Sequence, residues 1–133
     1  MCLADILMTD PQLDRPAIVA FSTTTPEVSV STPGVDRIID GTPEHTARNF
    51  FTDQSGQFFA GVWESTPGKW RVKYTETEFC HLTRGTVEIE DERGRTSHFR
   101  AGDSFVVPAG FSGTWHVLEP ASKLYVIFES ASK

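Results

Sequence analysis

The chain has 133 residues, of which 38% are hydrophobic and 23% are charged, and its formal net charge is -6. A single domain of this length buries roughly two thirds of its chain surface, and this composition argues against general disorder. The acidic balance, without any stripe of Lys and Arg, excludes nucleic acid as a partner and disfavours anionic membrane surfaces.

Residues 1–55 are predicted to form an extended N-terminal arm, ahead of a barrel over residues 56–133. AIVAF (17–21) and VSV (28–30) are predicted as short edge strands that lie along the barrel or along a partner subunit. The alternative for the first ten residues is a poorly ordered tail. A long helix is excluded by the prolines of this segment, Pro11, Pro16, Pro26 and Pro33.

The end of this arm, GTPEHTARNFF (41–51), carries a signal for the start of a helix. Thr42 is a suitable N-cap, and Pro43 would occupy the first helical position. We therefore expect one or two helical turns here and no more.

From Gly56 onward the sequence predicts one strand after another. The segments are rich in β-branched and aromatic residues and are separated by turns that contain Gly, Pro and Asp. In TVEIE (86–90), alternation places Val87 and Ile89 on the inner face of a strand. Many short strands at regular spacing predict an all-β sandwich or barrel.

The two cysteines, Cys2 and Cys80, are far apart in the sequence. This spacing argues against a disulfide and predicts a reducing, cytoplasmic location. The N-terminus lacks the basic start of a signal peptide, and no apolar run approaches the roughly 20 residues that span a bilayer. We therefore expect no membrane partner.

Two blocks of the chain resemble the two conserved motifs of the cupins. The first is GKWRVKYTETEFCHLTRG (68–85) and the second is AGDSFVVPAGFSG (101–113). The spacing of their glycines, of Glu78 and of Pro108 is similar to that of the family. This resemblance implies a cupin-type double-stranded β-helix, the jelly-roll barrel.

More narrowly, residues 56–130 resemble the branch related to the ureidoglycine aminohydrolase cupin domain. The feature that carries this resemblance is Gly113-Thr114-Trp115 after the second motif. The branch implies nitrogenous or ureido-type substrates.

The resemblance also implies where a metal would bind in a cupin. The histidines of metal-binding members are replaced here by Val72, Tyr74 and Gly113, and only Glu78 is kept. One carboxylate, one thiol and a phenol are a poor donor set for a transition metal, so we expect neither a stoichiometric metal nor another cofactor. The histidines outside the motif positions are predicted as surface or interface residues: His45, His81, His98 and His116.

Strand alternation predicts which side chains enter the barrel. If Glu78 points inward, Cys80 does too, and Tyr74 and Trp115 share the same cavity. A carboxylate in an apolar barrel either titrates with a raised pKa or has a charged partner, and both conditions suit acid–base chemistry. The alternative is a buried carboxylate that is hydrogen-bonded to Tyr74 or to backbone amides.

We therefore predict Glu78 and Tyr74 as catalytic residues. The last strand contains Lys123 and Tyr125, either of which could reach Glu78 across the barrel, and the pattern does not fix their direction. Ligand-binding residues are predicted at four positions: Trp63, Cys80, Trp115 and Tyr125.

Two functional hypotheses remain open. The first is a metal-independent hydrolase, lyase or isomerase that acts on a small polar metabolite through Glu78. The second is a non-catalytic small-molecule-binding module or a structural dimer. We expect a homodimer in either case, because the arm strands need a sheet edge and two-fold dimers are the commonest soluble oligomers.

Overall fold

The computed structural model describes residues 16–131, and these form an almost entirely β structure. No helix within this part of the chain is long and apolar enough to cross a membrane. Short 3-10 turns cover Phe21–Thr23 and Val35–Arg37. Nine strands lie within residues 16–131: β1 (Glu27–Ser31), β2 (Ile38–Gly41), β3 (His45–Thr52), β4 (Phe58–Ser65), β5 (Gly68–Lys73), β6 (Thr77–Asp91), β7 (Thr96–Arg100), β8 (Ser104–Val107) and β9 (Ser112–Phe128).

The strands form one curled antiparallel sheet in the order β1-β3-β4-β9-β5-β2, and β6 joins it by pairing with β7, β8 and β9. The two longest strands, β6 with 15 residues and β9 with 17, bend as a pair where their register shifts between Leu82 and Val87. Gly85 lies in this bend with φ 84°, and a Cβ there would overlap the Pro120 carbonyl oxygen. The curled sheet confirms the predicted all-β barrel.

The core lies between the walls of the barrel and follows the alternation of β6 and β9. Cys80, Val87 and Trp115 are each 1% exposed or less, whereas Phe79, between two inward positions, is 41% exposed. Burying each large apolar side chain contributes about 1.5–3 kcal/mol. The inward positions predicted for Val87, Ile89, Cys80 and Trp115 are therefore confirmed.

The helical turns predicted within residues 41–51 are wrong. Most of this segment is strand β3, which pairs with β1 on one side and with β4 on the other. Strand pairing on both edges from His45 to Asn49 satisfies the backbone there, and this outweighs a capping signal worth about 1 kcal/mol.

Of the two short strands predicted in the arm, the one at VSV is confirmed and the one at AIVAF is wrong. VSV lies in β1, but residues 17–20 are extended without strand partners, and Phe21 begins a 3-10 turn. The Phe21 ring stacks on Phe50 at 4.3 Å between centroids. Aromatic packing therefore fixes this segment in place of sheet pairing. The first ten residues, for which a tail was the alternative, lie outside the described residues.

Candidate functional site

A cavity of about 370 Å³ opens into the barrel and is lined by side chains of β3, β4, β5, β6 and β9. Its walls are aromatic: the three tryptophans of the chain, Trp63, Trp70 and Trp115, all line it, together with Tyr74 and Tyr125. Small-molecule sites have this size, and here the aromatic walls are combined with charged side chains that can orient a ligand.

The polar groups of the cavity centre on a buried ion pair between β6 and β9. Lys123 Nζ lies 2.8 Å from Glu78 Oε2, and the two side chains are only 5% and 6% exposed. The Tyr74 hydroxyl donates a hydrogen bond of 2.9 Å to the other carboxylate oxygen, Glu78 Oε1. Sequence reasoning predicted Glu78 and Tyr74 but left the direction of Lys123 open, and the structure turns Lys123 inward.

Two indole rings enclose the ammonium group of this pair. Lys123 Nζ lies 4.5 Å from the ring centroid of Trp63 and 4.3 Å from that of Trp115. Aromatic faces attract a cation, and more strongly when water is excluded. Burial acts to lower the pKa of Lys123, but the charge of Glu78, with a smaller effect of Cys80, raises it above its ordinary value. Lys123 is therefore an ammonium ion at neutral pH.

The hydroxyl and thiol groups near the pair stay protonated. Burial, and then the charge of Glu78, raises the pKa of Tyr74 well above its ordinary value. Burial also raises the pKa of Cys80 to about 12, with Lys123 opposing and Glu78 reinforcing the shift. Cys80 lies in the core behind the ion pair, outside the set of side chains that line the cavity. A buried neutral thiol is a poor nucleophile.

Tyr125 lines the cavity one alternation beyond Lys123. Its hydroxyl donates a 2.8 Å hydrogen bond to Asn49 Oδ1 on β3, which fixes the ring against the wall. Burial, and then the charge of Glu78, raises the pKa of Tyr125 to about 12. Tyr125 therefore offers the cavity a neutral aromatic surface.

His45 is a cavity residue that the sequence analysis placed on the surface or at an interface, and that prediction is wrong. Its ring centroid lies 5.0 Å from that of Trp63 and 4.6 Å from that of Trp70. Burial, and then the charges of Lys123 and Arg37, lowers its pKa to about 4, so the ring is neutral at pH 7. Its Nε2 is buried with no hydrogen-bond partner. The sequence analysis treated this segment as lying ahead of the barrel, whereas His45 begins β3 and lines the cavity.

The other histidines lie on the outer face, as alternation predicts. His98 is 69% exposed and His116 is 31% exposed, and both contact Glu88. His81 Nδ1 lies 2.7 Å from the Ser104 hydroxyl oxygen. None of these three rings enters the cavity.

The residues at the cupin metal positions do not fit a transition metal. Val72 offers no donor, the Tyr74 hydroxyl is bonded to Glu78, and both oxygens of Glu78 are already engaged. At Gly113 any Cβ would overlap the Glu90 carbonyl oxygen, so this position has no room for a ligand side chain. Among residues 16–131, no group of three or more His, Cys, Asp or Glu side chains is placed to hold a metal ion. Beside Glu78, the counter-charge comes instead from the Lys123 ammonium.

The curled sheet, the two glycine motifs and the cavity inside the barrel define a small cupin domain. Residues 52–125 match the EutQ-like cupin domain family, which is more than half of the chain. The chain therefore belongs to the EutQ-like cupin family. No curated protein matches the chain.

Solved structures with the same fold come from several bacteria. A protein of unknown function of the DUF861 family from Pseudomonas syringae pv. tomato str. DC3000 is 25% identical with a TM-score of 0.70, over 76% of this chain and 44% of that one. The EutQ protein of Clostridium difficile is 20% identical with a TM-score of 0.60, over 67% of this chain and 65% of that one. A putative ethanolamine utilization protein Q from Salmonella typhimurium LT2 is 20% identical with a TM-score of 0.58, over 78% of this chain and 97% of that one.

These likenesses establish the fold and leave the activity open. The chain spans less than two thirds of the length of the Pseudomonas and Clostridium structures. The narrower resemblance to the ureidoglycine aminohydrolase cupin domain stays a prediction, since none of these three structures carries that name.

Proposed function

We propose that this protein binds a small polar metabolite in the barrel and moves a proton on it without a metal, with Glu78 as the acid–base group. The observation that carries the proposal is the Glu78–Lys123 pair, in which both side chains are almost fully buried and both line the cavity. A buried ion pair is often replaceable by apolar residues without loss of stability. Its place on a cavity wall therefore favours a role in chemistry.

The pair offers two complementary actions to a bound substrate. Glu78 accepts a proton from an acidic C–H, N–H or O–H group, and the Lys123 ammonium stabilises the negative charge that then develops on a neighbouring oxygen. Tyr74 holds one oxygen of Glu78, which orients the carboxylate. Because the pKa of Lys123 is raised, the amine is not free to form a Schiff base, which requires its neutral form. This combination of base and fixed cation is compatible with hydrolase, lyase or isomerase chemistry.

The proposal is tested by turnover of small metabolites with amide, ureido or carbonyl groups, followed by NMR in heavy water, where proton transfer appears as deuterium incorporation. Turnover should persist in excess chelator. It should fall about a hundredfold to ten-thousandfold in the Glu78→Gln/Lys123→Met variant, which leaves no unpaired buried charge. Glu88→Gln, on the outer face of the same strand, is the matched control and should keep full turnover.

Two outcomes would count against this mechanism. Turnover that requires an added metal contradicts the metal-independent chemistry, and turnover that survives in the double variant removes Glu78 from the reaction. Ligand binding without any turnover supports the non-catalytic alternative, a small-molecule-binding module.

We also propose a homodimer in which a second copy covers the outer face of β8, β6, β9 and β4. Cross-strand pairs set Val106 beside Phe79, and Phe79 beside Val126. Exposed fractions are 57% for Val106, 41% for Phe79, 39% for Leu124 and 51% for Phe128. A two-fold interface places a patch against its own copy, and an apolar sheet face is complementary to itself. The sequence analysis based the dimer on arm strands that need a sheet edge. That argument does not hold, because β1 pairs with β3 of the same chain.

Light scattering tests the dimer directly. We expect a mass near two chains of 14.8 kDa, reduced to one chain by Phe79→Lys. The matched control is Val28→Lys, which changes an exposed valine on edge strand β1 and should leave the mass unchanged. A parent mass of one chain at micromolar concentration would exclude this role for the outer face.

We further propose a cytoplasmic location. Cys80 is a free, buried thiol, which suits a reducing compartment. Fractionation of the native cell tests this placement, and recovery outside the cytoplasm would contradict it.

A further inference from the structure

We infer that the ligand of this cavity is a small anion, whose carboxylate or phosphate group is held at the mouth by Arg37 and Lys73. The inference rests on the proposed function, because it assigns the ligand class of the same cavity. It is carried by the distribution of charge along the cavity wall.

The cavity wall carries an excess of positive charge, although the chain has a formal net charge of -6. Three cations line it, Arg37, Lys73 and Lys123, against two carboxylates, Glu76 and Glu78. Glu78 and Lys123 neutralise each other at 2.8 Å. Two cations and one carboxylate therefore remain to face a ligand. Low-dielectric walls focus such a charge imbalance and attract a ligand of the opposite sign.

The two remaining cations are available to a ligand. Arg37 ends the 3-10 turn after β1, and Lys73 ends β5. Within residues 16–131, neither forms an ion pair. The Glu76 carboxylate already accepts a 3.0 Å hydrogen bond from the Thr75 backbone N–H within the same turn.

Acidic side chains also face Arg37 and Lys73 across an adjoining groove, and they leave the two cations unpaired. Glu90, Asp91 and Glu92 line that groove. Asp91 is occupied by Arg95 at 2.9 Å, and the two glutamates form no ion pair in the described part of the chain. An anion that enters the cavity therefore competes with solvent for Arg37 and Lys73 and does not displace a protein carboxylate.

The cavity walls determine the chemical character of the remaining part of the ligand. Trp63, Trp70 and Trp115 offer flat apolar surfaces along the cavity wall, and two of them flank the Lys123 ammonium. An anionic end at the mouth then places the other end of a small molecule beside Glu78 and Lys123. The ligand class is a small carboxylate or phosphate ester with a planar or apolar body.

Tryptophan fluorescence reports binding, because every tryptophan of the chain lines the cavity. Four probes share one ring and differ in charge: benzoate, phenyl phosphate, benzamide and benzylamine. We expect benzoate or phenyl phosphate to bind about threefold to tenfold more tightly than benzamide, and benzylamine to bind most weakly. The preferred anion distinguishes a carboxylate ligand from a phosphate ester. Added salt should reduce the difference between benzoate and benzamide, because the mouth is exposed.

Variants locate the anion at the mouth. Arg37→Gln/Lys73→Gln should weaken the anionic probe to the level of benzamide, whereas Arg93→Gln, in the exposed β6–β7 turn, should change nothing. If benzamide binds as tightly as both anions, or if Arg93→Gln has the same effect as the mouth variant, the inference is overturned and the proposed function stands. If none of the probes alters the fluorescence at tens of millimolar, the inference is overturned, and the proposed function is decided separately by the turnover assay.

Discussion

Strands β6 and β9 carry a contact to a glutamate on each face of the barrel. On the inner face, Glu78 and Lys123 are 6% and 5% exposed and lie 2.8 Å apart. On the outer face, Glu88 lies 2.9 Å from His98 Nδ1 and 3.6 Å from His116 Nδ1, and these side chains are 30%, 69% and 31% exposed. The two contacts differ most in their exposure to solvent, and also in the partner of the glutamate, a lysine inside and histidines outside.

The difference in exposure between the two faces shows which charge depends on a single partner. Water and salt screen the outer contact, and either partner is rehydrated when the other is removed. The inner charges have no such alternative, because removing one leaves the other unpaired in the core. A rigid and desolvated pair is also the form in which electrostatic groups act most strongly on a substrate.

The largest expected effect is that of breaking the inner pair. Glu78→Gln leaves the Lys123 ammonium without its counter-charge, and we expect the free energy of unfolding to fall by about 3–5 kcal/mol. Urea unfolding at pH 7 measures the change. A loss below about 1 kcal/mol would mean that the pair is solvated like the outer one.

Removing both inner charges should recover most of this loss. Glu78→Gln/Lys123→Met keeps a long apolar chain against Trp63 and Trp115, and we expect its free energy of unfolding to lie within about 2 kcal/mol of the parent value. The same urea series closes the double-mutant cycle. Additive losses from the two single variants would contradict a direct coupling between Glu78 and Lys123.

Acid sensitivity should also distinguish the two faces. The pKa of His45 is lowered from 6.5 to about 4 in the native protein. Between these values the unfolded chain binds a proton that the native state does not, so stability is complete above about pH 6.5 and decreases as the pH falls towards about 4. After allowance for partial exposure, we expect a loss of about 1–2 kcal/mol.

His45→Phe should lack that part of the acid slope, because Phe keeps the aromatic contact with Trp63 and Trp70 and cannot bind a proton. Thermal unfolding at several pH values between 4 and 7 measures the slope. The control, His98→Gln on the outer face, should follow the parent. A parent slope that is unchanged in His45→Phe would remove His45 as its source.

The smallest effect is expected on the outer face. Glu88→Gln should change the free energy of unfolding by less than about 1 kcal/mol, because its contacts with His98 and His116 are exposed. Salt should reduce even this difference. A loss as large as that of Glu78→Gln would contradict the contrast between the two faces.

Local sequence patterns predicted much of the barrel and, at the site, the carboxylate of the buried ion pair. Turn glycines and period-two alternation are local properties, so they predict the strands after Gly56 and the inward direction of Glu78, Cys80 and Trp115. The strand around His45 was not predicted, because its helix-cap signal is local and its strand character comes from pairing with β1 and β4. Propensity is a weak prior wherever neighbouring strands offer pairing on both edges.

By itself, the sequence determined the cupin class, the loss of the metal ligands at Val72, Tyr74 and Gly113, and the inward carboxylate at Glu78. Only the tertiary structure decided what balances that carboxylate. The register of β9 turns Lys123 towards β6 and between two indole rings. Which residues of a strand share a face can be predicted from that strand alone. Which of its two faces points into the barrel depends on where the chain bends, and that bend forms only when β6 and β9 pair.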